Sequence, residues 1–243
     1  MSEQARTGRI LADAVAREDG TPLPDRLCAA CVEALPVAGA AIALTGDHDA
    51  PPHALFASDG AAASAEELQF TLGEGPSVEA LRTGRPVLAY DLAGPGGDRW
   101  PVLASTLPSA PPRIATILAS PLRLHGSPFG VLSLHRHHGA PFRQEDLAAV
   151  RIAVDTSTLA LIAAFEEAPG LPSWLDRPGA DGVEVDQAVG MIMVQLDAPA
   201  DTALARLRAK AFTEGASVGD LAREVVARRL RFTDDRTDND RQP

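Results

Sequence analysis

Four groups of residues in this 243-residue chain carry side chains able to do chemistry. Cys28-Ala29-Ala30-Cys31 has the spacing of a redox dithiol. His135-Arg136-His137-His138 gathers three imidazoles, common ligands for zinc. Gly73-Glu74-Gly75-Pro76 is a glycine turn, and some glycine turns cradle phosphates. The fourth group is cationic: between Glu184 and Phe232 there are seven bases, Lys210 being the only lysine, against seven acids. The first three groups lead away from catalysis. Cys28 and Cys31 share one side of a helix with Leu27 and Leu35, where thiols serve as small core residues. A zinc site needs a further ligand pair, and no other pair has that spacing. The histidines stand at a strand end before Gly139 and read as a solvated turn. The glycine turn lacks the Gly-Lys-Ser/Thr ending of a phosphate loop, and reads as a turn between helices at a pocket mouth. No catalytic triad, kinase loop or phosphoacceptor receiver pattern is present. No catalytic residue, metal ligand or cofactor is expected, and an enzyme is the least favoured class.

The fourth group sits on a segment with clear helical spacing. Val185, Val189, Ile192 and Leu196 recur at four-three-four and place an apolar stripe on a first helix. Asp197-Ala198-Pro199 breaks it and starts a second helix, with Pro in the first turn. Leu204, Leu207 and Ala211 continue the pattern until Gly215, a left-handed C-cap. Ser217 and Asp220 cap a third helix, whose buried face is Val218, Leu221, Ala222, Val225 and Val226 and whose end is Arg228-Arg229-Leu230-Arg231. Three helices of this length make a small bundle without room for a substrate pocket. They present a face to a partner.

Three runs in this segment resemble the ANTAR domain, a small RNA-binding module of bacterial transcription antiterminators. They are Gln187-Ala188-Val189-Gly190-Met191-Ile192-Met193, then Ala203-Leu204 with Leu207-Arg208, then Asp220-Leu221-Ala222-Arg223-Glu224-Val225-Val226. The resemblance implies binding of paired RNA hairpins by two copies of the module, so that a terminator is suppressed. RNA loops are read through splayed bases and close backbone approach. Gln187, the small Ala188 and Gly190, and Met191 are therefore the expected base-contacting residues, with helix–helix packing as the other reading of Ala188 and Gly190. Arg208, Lys210, Arg223, Arg228 and Arg229 are placed to reach phosphates, with a solvated face as the alternative. Val189 stands where many members carry a basic residue.

The elements upstream are of another kind. Helices are expected at 23–35, 64–72, 76–82, 100–107 and 144–165. Strands are expected at 38–44, 53–57 and 86–90, with a hairpin of 114–124 and 129–135 around Gly126-Ser127-Pro128. That order predicts an α+β fold, an antiparallel sheet flanked by helices, followed by the small C-terminal bundle. Leu68 to Pro76, Thr83-Gly84-Arg85-Pro86-Val87, Ala119-Ser120-Pro121-Leu122 and Phe129-Gly130-Val131-Leu132 resemble the GAF domain, a small-molecule-sensing fold. The resemblance implies a ligand without naming it.

The expected organisation is a GAF-like sensor over 7–168, a Pro/Gly linker over 169–182, part of which docks through Trp174-Leu175, an ANTAR-like domain over 183–232 and a disordered tail over 233–243. Leu147, Val150, Val154, Ser157 and Leu161 step at three and four along the long helix. They suit either a dimer seam or packing on the sheet. The net charge of −11 disfavours nonspecific attraction to nucleic acid or membrane. Glu3, Arg6, Arg9 and Asp13 interrupt any leader-like apolar run. The expected protein is a cytoplasmic, homodimeric regulator of RNA hairpins, not bound to a membrane. Two other readings stay open. One is a DNA-binding helix-turn-helix factor. The other is a ligand sensor acting only through protein contacts.

Overall fold

The computed structural model describes residues 2–45, 54–107, 113–139, 141–168, 172–176 and 182–233. The chain divides into two compact units, Met1–Ala180 and Asp181–Pro243.

The first unit is built on five antiparallel strands in the order β2-β1-β5-β4-β3. They are β1 (Gly39–Leu44), β2 (Ala54–Ala57), β3 (Val87–Ala89), β4 (Thr116–Leu124) and β5 (Ser127–Arg136). Both faces of the sheet are covered, so its inner strands read as near-continuous apolar runs. One face carries Ile42, Leu118, Leu122, Leu132 and Leu134 against helices α1 (Glu3–Ala16), α2 (Leu23–Ala34) and α6 (Gln144–Glu167). The other carries Ala43, Ile117, Ala119 and Val131 against α3 (Gly60–Leu72), α4 (Pro76–Thr83) and α5 (Pro101–Thr106).

The α+β architecture agrees with the sequence, with several corrections. Helix α1 was not expected, and the unit begins before residue 7. Ser2 caps it by accepting from the Ala5 N–H at 3.3 Å, and Thr7, Leu11 and Ala14 form its buried stripe. The β4–β5 turn is His125-Gly126, both at positive φ, so Ser127 and Pro128 belong to β5. Most of the seam on α6 packs internally, while Leu147 at its start is 40% exposed. Val150, Ser157 and Leu161 are buried and Val154 is half-buried against the same core, because α6 lies along α1, α2 and β4. Among the described residues α6 is the one helix long and apolar enough to cross a membrane by length and composition. Part of the expected linker belongs to this unit. A 3-10 turn at Ser173–Asp176 sets Trp174 edge-on to Phe56 and Phe165, with ring centroids 5.6 and 5.4 Å away. Most of the remaining linker and residues 234–243 of the expected tail lie outside the described residues.

Arg136, 4% exposed at the end of β5, locks the sheet to α6. Its Nη2 donates to Asp146 Oδ2 at 3.1 Å, its Nε to the Pro36 carbonyl at 2.7 Å, and its guanidinium lies 3.6 Å from the Phe142 ring centre. Burial raises the Asp146 carboxyl, but hydrogen bonds from Arg143 and Arg136 outweigh it and leave it below the ordinary range.

The second unit is a three-helix bundle of α7 (Gly182–Leu196), α8 (Ala200–Glu214) and α9 (Val218–Val226). Val185, Ala188, Ile192, Leu204, Leu207, Leu221 and Val225 fill its core. Gly215 closes α8 in the left-handed conformation, and Ser217 caps α9 by accepting from the Asp220 N–H at 3.0 Å. Pro199 precedes α8 as its N-cap instead of entering its first turn.

Candidate functional site

The bundle sorts the expected RNA-contacting residues into three groups. Gln187 and Gly190 lie one turn apart on the exposed face of α7, with Met191 half-buried beside them. Ala188 is corrected: it is fully buried between the helices, so it packs the bundle and cannot meet a base. Gly190 behaves oppositely. A Cβ at that position would meet nothing within 4 Å, so packing inside the unit does not call for a glycine there. Glycine inside a helix costs roughly 0.5–1 kcal/mol relative to alanine.

The bases avoid α7, whose charged residues are Glu184 and Asp186. Arg206, Arg208 and Lys210 ride on α8, where Lys210 Nζ pairs with Glu214 at 2.6 Å. Arg208 is half-buried, burial lowers its pKa, and its Nε is buried without a hydrogen-bond partner. Arg223 on α9 pairs with Asp220. Arg228 was expected on the third helix and is not. Helix α9 ends at Val226, and Arg228 takes the left-handed conformation at φ 61 in the turn that follows. That position ordinarily favours glycine. The turn is closed by Arg229 and Leu230 amides on the Glu224 carbonyl at 2.9 and 3.1 Å, and Arg229 also pairs with Glu224 at 2.7 Å. Beyond it, the Phe232 amide donates to Gln195 Oε1 on α7 at 2.8 Å. The basic segment is thereby fastened to the bundle. A helix-turn-helix reading would put α9 in the major groove, but its start exposes Asp220, a carboxylate that repels phosphate.

The first unit holds a buried polar cluster that sequence reasoning missed. Glu66 on α3 is 1% exposed. Its Oε1 accepts from Gln69 Nε2 at 2.7 Å and from the Ser77 hydroxyl at 3.0 Å, while Oε2 has no partner. Burial pushes the carboxyl up to about 7, and the polar groups of the nearby Ser133, Ser77 and Gln69 only partly oppose it. The signal was a polar residue in the stripe Ala62, Ala65, Glu66, Gln69. His135 is a second correction. It is buried at 4% exposure within β5, not in a solvated turn, while His137 and His138 are exposed. Alternation along β5 puts His135 and Ser133 on the same sheet face. Gly39 on β1 makes room for the imidazole: a Cβ there would lie 2.1 Å from His135 Cε1 and 2.6 Å from Asp59 Oδ2. Burial pushes the imidazole down to about 4, despite the nearby Asp59 charge, and its Nε2 has no partner.

The thiols lie on the other side of the sheet. Cys28 and Cys31 are both fully buried on α2, and Cys28 Sγ is 3.7 Å from the Phe56 carbonyl oxygen. Burial raises the Cys28 thiol far above its usual value and Cys31 to about 12, so neither forms a thiolate at neutral pH. Among the described residues the acids close enough to share a cation are Glu3, Glu145 and Asp146, and Arg143 already pairs with both Glu145 and Asp146. The Gly73–Pro76 turn does sit at a hollow, described below, and Glu74 there accepts from the Val102 and Leu103 amides at 2.9 Å each.

Comparison with curated proteins finds no match. Among solved structures, the first unit is similar to the free methionine-R-sulfoxide reductase of Neisseria meningitidis in complex with its substrate. That likeness has 14% identity over 68% of this chain and 92% of that one, with a TM-score of 0.48. It is also similar to the GAF domains of phosphoenolpyruvate-protein phosphotransferases from Acinetobacter (11% identity, 68% and 95% covered, TM-score 0.47) and Coxiella burnetii (16%, 68% and 98%, 0.45). At such identity and TM-score these likenesses say nothing of chemistry. The family comparison is decisive: the ANTAR domain matches residues 180–226 and the GAF domain matches residues 23–162, more than half of the chain. The chain therefore belongs to the GAF domain family and carries an ANTAR domain in its C-terminal helical unit.

Proposed function

We propose that this protein is a cytoplasmic, signal-responsive regulator, not a catalyst. Its GAF domain controls an ANTAR domain that binds hairpins in nascent RNA and causes transcription antitermination. Two copies act together, one for each of two hairpins. The observation that carries the RNA reading is a pair of residues chosen against stability. Gly190 occupies an open helix position where alanine is better, and Arg228 occupies a left-handed turn where glycine is better. Neither choice serves the bundle, and both serve an outside partner: a bare backbone for an approaching base and a cation for a phosphate. Exposed Arg206 and half-buried Arg208 extend the positive surface along α8.

The test is a gel-shift titration of the full chain with a two-hairpin RNA, the same RNA with its loop bases replaced by abasic sites, and duplex DNA of matching sequence. The RNA reading expects a shift with the intact loops only. Equal binding to duplex DNA would support the DNA reading instead. One observation favours a protein-contact reading. Helix α7 exposes Val183 and Val194, at 71% and 85%, and has no base. On that reading the shift is absent, and light scattering detects association that Val194→Glu removes.

A further inference from the structure

The solvent side of α4 carries a positive groove used neither by the RNA reading nor by the buried polar cluster. Two hollows adjoin there and share Glu79 and Arg99. One, of about 460 Å³, lies between Thr83 on α4 and Arg85 and Leu88 at the start of β3. The other, of about 380 Å³, lies between the Gly73–Gly75 turn, Arg82 and Trp100. The opposite side of α4, with Ser77, Ala80 and Leu81, is buried, so the groove is separate from the interior of the sheet.

Four arginines gather at this place. Arg82, Arg85 and Arg99 line the hollows, and Arg123 stands at the edge, where its Nη1 donates to the Gly84 carbonyl at 3.3 Å. The carboxylates at the groove are already engaged. Glu74 caps α5, and Glu79 pairs with Arg99, whose guanidinium lies 5.0 Å from the Trp100 ring centre. The chain has 33 acids against 22 bases, yet among the described residues Arg82 and Arg85 have no ion-pair partner. A concentrated positive groove in an otherwise acidic protein attracts anions locally. Guanidinium groups match phosphate oxygens in pairs, and the two hollows fall within the size range of small-molecule sites.

We propose that this groove binds a small molecule bearing at least two phosphate groups. Arg82 and Arg85 hold one end, and Arg99 exchanges Glu79 for the other. The exchange releases the tie between α4 and the segment leading into α5, so occupancy alters how those elements are held. The proposal stands independently of the RNA reading.

The experiment is isothermal titration calorimetry of the full chain with inorganic pyrophosphate at about 150 mM salt, with citrate as a matched-charge control. Pyrophosphate is expected to bind saturably and at least about tenfold more tightly than citrate. Arg82→Gln and Arg85→Gln are each expected to weaken it about tenfold, and Arg151→Gln, on the exposed face of α6, to leave it unchanged. Glu79→Gln separates ligand exchange from mere structural support, because it frees Arg99 in advance and is expected to tighten binding about threefold. Absence of saturable binding, indifference to Arg82→Gln and Arg85→Gln, weaker binding in Glu79→Gln, or citrate binding as tightly as pyrophosphate would each overturn the proposal. Circular dichroism of each variant checks that its fold is intact.

Discussion

Glu66 and His135 are buried on the same side of the sheet, both neutral at pH 5.5, and removing either titration exposes the other. The Glu66 carboxyl is raised from 4.5 to about 7, a difference worth about 3 kcal/mol. The folded state then holds a proton that the unfolded chain has lost, so stability falls as pH rises from 4.5 through 7. His135 is lowered from 6.5 to about 4, again about 3 kcal/mol, with the opposite sign. The unfolded chain holds that proton and the folded one does not, so stability falls as pH drops from 6.5 through 4. Between about pH 4.5 and 6.5 the two slopes cancel, and wild type is nearly flat. Glu66→Gln keeps an oxygen to accept from Gln69 and Ser77 but cannot ionise. Its stability should rise by up to about 3 kcal/mol between pH 4.5 and 6.5. His135→Asn should fall by a similar amount over the same window. Urea unfolding followed by tryptophan fluorescence reads this directly, since Trp100 and Trp174, the only two tryptophans, both lie in the first unit. If Glu66→Gln and wild type show the same slope from pH 4.5 to 6.5, the reasoning about the buried carboxyl is wrong.

Other expectations concern single contacts. Gly190→Ala should raise the stability of the bundle by roughly 0.5–1 kcal/mol by chemical denaturation and weaken RNA binding, whereas gain of both stability and affinity would remove Gly190 from the interface. Arg228→Gly should likewise stabilise, by about 1 kcal/mol, while lowering RNA affinity and the salt dependence of binding. Arg136→Ala removes one of the two arginines that hold buried Asp146, leaving Arg143 as its remaining partner, and should cost about 1–3 kcal/mol, measured by the same fluorescence assay; Arg136→Met, which keeps apolar packing against Phe142, should cost less. Changing Cys28 and Cys31 together to Ala should alter stability by about 1–3 kcal/mol and leave any response to oxidant unchanged; a reversible oxidant response lost in that variant would restore a redox role.

What the sequence made legible followed from periodicity and special backbone positions. The helical stripes of α7, α8 and α9, the Gly215 cap and the Ser217 cap depend on near neighbours, and the sequence encodes them locally. What stayed hidden depended on distant partners. Helix α1 spaces Thr7, Leu11 and Ala14 correctly, but its charged residues masked so sparse a stripe. Ala188 and Gly190 look alike as small residues, and only the rotation of α7 against its neighbours buries one and exposes the other. Glu66 and His135 look solvent-exposed by type, and their burial is set by contacts far along the chain, with Ser77 and Gly39. The α6 stripe suited two partners equally until α1, a helix the spacing had not revealed, occupied one side of it.

The two buried thiols make the first unit its own stopwatch. A reagent that attacks thiolates has nothing to react with while α2 is seated on the sheet, because Cys28 and Cys31 are shielded and protonated. Their modification must wait for that core to open, so its rate reports the frequency of opening under native conditions, without denaturant. A third cysteine introduced on the surface, in place of Gln187 for instance, would react alone. The chain thus accepts a single probe on the exposed face of α7 with both native cysteines left in place, and the slow reaction of those two serves as the internal clock.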